Sequence, residues 1–209
     1  MLQLFYILLL SLHLICMNVA SGAPLACIWL EWKLRTKSDG EAKSAADYLA
    51  KMSVLTLLAG SLLGLVMGLI LWTPDYAALW TKRLGHKMHW GGLELLFSLL
   101  ILGGYWLWRK KSAASGMAGV LGKSALLLFA STNLLYHFPP LFLIAGKLAD
   151  AQEASLEPVG RKLFVQLMLE GEIPALWVHF TFASLAMAGI MLLGLAIFGA
   201  SLELFAGAA

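Results

Sequence analysis

The chain has 209 residues, 60% of them apolar and only 13% charged, with a formal charge of +3 and a mean hydropathy of +0.81. Soluble domains carry roughly a quarter charged residues, so a single water-facing globule is excluded, and so small a positive charge gives no footprint for nucleic acid. The apolar residues fall in blocks near 20 long, the length that crosses a bilayer core at a rise of about 1.5 Å per residue.

Five such blocks predict an all-α, polytopic membrane bundle of five helices forming one domain over 1–209: about 4–30, 53–72, 89–108, 118–145 and 174–200. In the first, Ala20-Ser21-Gly22-Ala23 has the small residues of a signal-peptide cleavage region. No positive region precedes it and the apolar stretch continues to Trp29, so a retained helix is expected. Cys16 and Cys27 are eleven residues apart on that helix, too far to bridge. The absence of a Cys-x-x-Cys-His motif excludes covalent c-type haem attachment.

Residues 33–52 are charged and helix-compatible, and are expected to form a surface helix leading into the second span. Thr73-Pro74-Asp75 then opens an interfacial segment containing Trp80. The third span holds His89 and Glu94, with His86 beside Lys87 at its edge. The fourth holds His137 followed by Pro139-Pro140, a pair expected to bend the helix and free carbonyls. Within the long 147–173 connection, 161–170 reads as an amphipathic stretch on the membrane surface. The fifth span holds His179.

Nine Lys and Arg fall on one side of the alternating spans (in segments 31–52 and 109–123) and six on the other. The positive-inside bias expects the N-terminus outside and the C-terminus in the cytoplasm.

Ionisable residues within a bilayer are expensive and mark functional sites by default. Here they are His13, His89, His137, His179 and Glu94, and counting along each span puts all four histidines in the outer half of the membrane. Small residues accompany them: Ala20 and Ser21 on the His13 face, Ala183 and Ala186 along that of His179, Ala130 and Asn133 near His137. That leaves room for a macrocycle, and bundle-core histidines commonly hold haem. Blander readings stay open. A transmembrane histidine is as readily an interhelical hydrogen-bond partner, Glu94 can be such a histidine's structural partner, and small residues occur wherever membrane helices pack closely. Copper or zinc can use the same ligands, and Met17, one turn from His13, keeps copper open.

Four segments also carry a resemblance: LHLICMNVASGAPLACIWLEW, WGGLELLFSLLILGGYWLWRK, STNLLYHFPPLFLIAGKL and WVHFTFASLAMAGIMLLG. In this order nearly the whole chain resembles the N-terminal half of subunit I of the cytochrome bd quinol oxidases. The resemblance implies haem-binding roles for His13 and His179, and for Glu94 the role of a carboxylate near the oxygen-site haems and the proton path. His89 and His137 have no ligand counterpart in that family. The family's later helices, its quinol-binding loop and a methionine haem ligand lie beyond the half that this chain matches.

The expectation is therefore an integral-membrane b-type cytochrome subunit of the bacterial inner membrane. One or two haems b would be held by His13, His89, His137 and His179, with two bis-histidine haems as the leading arrangement. Glu94 would accept a proton coupled to haem reduction or quinol oxidation. Electrons would pass between membrane quinone and a periplasmic c-type cytochrome, with other membrane subunits of a respiratory complex as partners. The alternatives are a terminal oxidase component completed by another chain, and a haem-free metal transport or assembly protein.

Overall fold

The computed structural model describes residues 2–36, 40–111, 116–150 and 157–206. Helix α1 (Leu2–Thr36) is followed by α2 (Gly40–Ile70), the short α3 (Pro74–Ala78), a π-helical turn at Leu79–Arg83, and α4 (Gly85–Lys111). Then come α5 (Met117–Asp150), the short α6 (Arg161–Met168) and α7 (Ile173–Ala206). Five of these, α1, α2, α4, α5 and α7, are long and apolar enough to cross a membrane. The chain is an all-α, multi-pass membrane protein.

The helices run past the apolar blocks of the sequence. Residues 40–52 do not form a separate surface helix but are the first turns of α2. Ala42, Ala46, Leu49, Ala50 and Ser53 are buried there. Their three-to-four spacing makes a packing stripe that continues unbroken into the span, whatever charges lie on the opposite face. Thr73 caps α3, its hydroxyl accepting from Tyr76 N at 3.3 Å, and the 161–170 stretch is helical over Arg161–Met168, as α6.

Helix α1 is the hub, packing on α2, α5 and α7, while α4 packs on α5 and α2. Close approach explains its small residues. A Cβ on Gly22 would collide with the backbone carbonyl of Ser184 on α7, and Ala20 and Ala23 are fully buried. Ser131 on α5 donates to the Ser21 carbonyl at 2.8 Å.

Helix α5 continues through both prolines. Pro139 has no N–H to give to the Leu135 carbonyl, four residues back. That freed oxygen accepts from the Trp177 indole of α7 at 2.6 Å. The expected loss of backbone pairing is real, and a neighbouring helix makes it good.

The spans alternate, so the starts of α1, α4 and α7 share one end of the bundle with the finishes of α2 and α5. A cap closes this end. Leu79, Trp80 and Leu84 pack there against Leu141, Ile144, Leu148, Leu167 and Ile173, and Val159 N donates to the Arg83 carbonyl at 2.9 Å.

Candidate functional site

His13 lies two turns from the buried Ala20 and on the same face of α1, so it points into the bundle. Its Nδ1 is 2.7 Å from the Gly60 carbonyl of α2. A carbonyl only accepts, so Nδ1 carries a proton, and in the neutral ring the lone pair is then on Nε2. The lack of a side chain at Gly64 lets the ring lie close, since a Cβ there would come within 2.9 Å of the His13 Cε1.

Interhelical contacts fix the relative depths. Asn18 of α1 accepts from Ser184 of α7 at 2.9 Å. His13 and His179 each lie five residues from that contact toward the capped end, hence at one level. Ser131 meets Ser21 in antiparallel register, which sets His137 opposite Ile15. Three histidines therefore share a layer, as the residue count along each span anticipated. His89 lies five residues beyond Glu94, about 7.5 Å nearer the end.

The histidines share depth but not direction. On α4 the buried positions are Gly91, Ser98, Leu102, Tyr105 and Arg109. His89, nine residues before Ser98, points about 180° away at roughly 100° per residue. On α7, His179 is about 140° round from the buried Ser184 by the same geometry. Both side chains are exposed, on faces turned away from this chain's bundle. The expected convergence of four histidines is thus replaced by one inward histidine, one histidine engaged by a carboxylate, and two outward ones. Among the described residues no three His, Cys, Asp or Glu side chains come close enough to hold one metal ion. Met17 packs against Gly60.

The engaged histidine is His137, whose Nδ1 lies 2.9 Å from the Glu94 carboxylate. The pair joins α5 to α4 at the edge of the packed faces, with side chains 51% and 24% exposed. Asn133, one turn before His137, donates to the Glu94 carbonyl at 2.9 Å and to Ser98 Oγ at 2.8 Å, locking the two helices in register. A cavity of about 490 Å³ opens at the pair.

A second polar group was not anticipated. Glu31, 1% exposed, lies eighteen residues from His13, about 27 Å along α1. It accepts from Tyr105 at 3.0 Å and from Arg109 at 2.6 Å, and pairs with Lys123 at 3.3 Å. Arg109 also pairs with Asp47 at 2.7 Å and donates to the Lys43 carbonyl at 3.2 Å. Four helices meet there with two cations balancing two anions. With both carboxylate oxygens engaged, Glu31 ties helices together and offers nothing to a ligand. The signal was in the sequence: Glu31 continues the buried Ala20, Pro24, Cys27 stripe of α1.

Cys16 and Cys27 are both free thiols. No family model, curated protein or solved structure matches the chain.

Proposed function

We propose that the chain is an integral-membrane b-type cytochrome subunit, carrying electrons within a larger complex of the bacterial inner membrane and holding one or two haems b. The supporting observation is the anchoring of His13. A buried-face imidazole with Nδ1–H held by a backbone carbonyl and Nε2 left as a lone-pair donor is the second-shell arrangement of a metal-ligating histidine. The bare Gly64 lets this ring lie against α2, where the Gly60 carbonyl can hold it.

Within this reading His13 and His179 are the iron ligands that the resemblance to the bd oxidase subunit supports. His179 faces away from the bundle, so a haem on it needs a helix from another chain. That favours a multi-subunit complex. His137 and Glu94 engage each other and serve ligand or proton exchange rather than axial ligation, and His89 lies outside the shared layer. When bound, haem would supply a one-electron carrier, held by His13 or His179. Membrane quinone on one side and a periplasmic c-type cytochrome on the other are the electron partners this reading implies, with the capped end outside.

Haem content by the pyridine haemochrome method tests the proposal on protein purified natively with its partners. Haem b is expected in wild type, and His13→Ala should lose one haem per chain with its helical circular dichroism retained. Folded wild-type protein free of haem contradicts it. Oxygen consumption by the complex, abolished by Glu94→Gln, would instead support the alternative of an oxidase component completed by another chain.

A further inference from the structure

The cavity of about 490 Å³ lies at the capped end between α4, α5 and α6, and the Glu94–His137 pair forms part of its wall. Gly91 lines it, where a Cβ would make ordinary contact with Leu141 and Phe138 and a longer side chain would project into the space. Aromatic rings flank the space: Trp90 of α4 on one side and Phe164 of α6 on the other. Lys87 Nζ sits 4.6 Å over the Phe164 ring, and Arg161 joins it in the lining. A second cleft of about 300 Å³ shares Tyr136 and His137 with the first and runs along α4 and α5 past Phe97 and Phe129. Phe129 is eight residues from His137, so this cleft reaches about 12 Å deeper along α5.

The two spaces together fit a flat head and one apolar tail. The chemistry of the wall narrows the head. A carboxylate beside an imidazole accepts hydrogen bonds from hydroxyl groups and repels a phosphate, so an anionic lipid headgroup suits this wall poorly despite the two cations. A ring with oxygens at opposite ends uses both poles, one at Glu94 and His137, the other at the Lys87 and Arg161 donors. Aromatic walls favour a ring over a branched sugar.

We propose that this cavity binds the headgroup of a hydroquinone, with the isoprenoid tail in the adjoining cleft. The inference rests on the quinone part of the function proposed above and not on its haem. A volume of this size lies within the usual range for small-ligand sites, about 300–1,000 Å³.

The test is equilibrium dialysis of the purified full chain in detergent against a tritiated decyl-substituted benzohydroquinone, kept anaerobic. Saturable binding is expected. Glu94→Gln should weaken it at least tenfold by removing the accepting charge, and Gly91→Leu should do the same by filling the cavity while leaving Glu94 intact. Both variants should keep wild-type elution and helical circular dichroism, and excess phosphatidylglycerol should not displace the ligand. Absence of saturable binding to folded wild-type protein overturns the proposal, as does binding indifferent to both variants. Displacement by phosphatidylglycerol also overturns it, marking an anionic-lipid site instead. Haem measured on the same preparations separates the two ideas: a haem-free chain that binds the quinol supports this inference while contradicting the cytochrome reading.

Discussion

Glu31 accepts from Tyr105 and Arg109 and pairs with Lys123, all at the end of the bundle opposite the histidines. Buried ion pairs gain little over apolar packing, but removing one partner strands the other, at a typical cost of about 3–5 kcal/mol. Arg109→Met is therefore expected to lower stability toward the lower end of that range, read by thermal unfolding in detergent, because it leaves Glu31 with Tyr105 and Lys123 and takes the cation from Asp47. Gly22→Val should cost about 1–3 kcal/mol in the same assay, since the new side chain meets the Ser184 carbonyl and α1 must move away from α7. The histidines were easy to single out in the sequence because they interrupt apolar runs. Arg109 and Lys123 were not, since each sits where a span meets a loop and reads as an ordinary flanking charge. Their burial depends on α1 delivering Glu31 to the same place, which is a tertiary fact.

At the scale of helices, Pro139 and Trp177 form a compensated pair. Removing the indole donor by Trp177→Phe leaves the Leu135 carbonyl without its partner and should cost about 1–3 kcal/mol. Pro139→Ala restores an intrahelical N–H, so in that background the same Trp177 change should cost much less. A double-mutant cycle of thermal stabilities checks this, and equal costs in both backgrounds would refute the coupling. The helices also explain what could be read in advance. Depth along a span is residue number times rise; it put all four histidines in one layer, and His13, His137 and His179 are level while His89 lies about 7.5 Å nearer the end. Direction round a helix depends on which face its neighbours take. That is why His89 and His179, level with or near the others, turn away from them. Helix α2 shows the same limit: hydropathy stopped it at residue 53, whereas its packing stripe begins at Ala42.

For the whole molecule, five spans and their order were legible from hydropathy alone because bilayer thickness imposes a length. The orientation rests on charge. Setting aside the buried Arg109 and Lys123 on one side and Arg83 on the other, the basic residues divide seven to five, and the bias keeps its sign. A cysteine replacing the exposed Thr81 should then react with a membrane-impermeant maleimide added outside intact cells, while one replacing the exposed Lys110 should not. The reverse pattern would invert the topology. The outward His179 accords with a complex in which other helices finish the site. The central claim is haem on transmembrane histidines, His13 foremost, and its most direct test is the dithionite-reduced-minus-oxidised spectrum of the natively purified protein. A b-type α-band that diminishes in His13→Ala is the expected result; a flat difference spectrum from folded protein contradicts the cytochrome assignment.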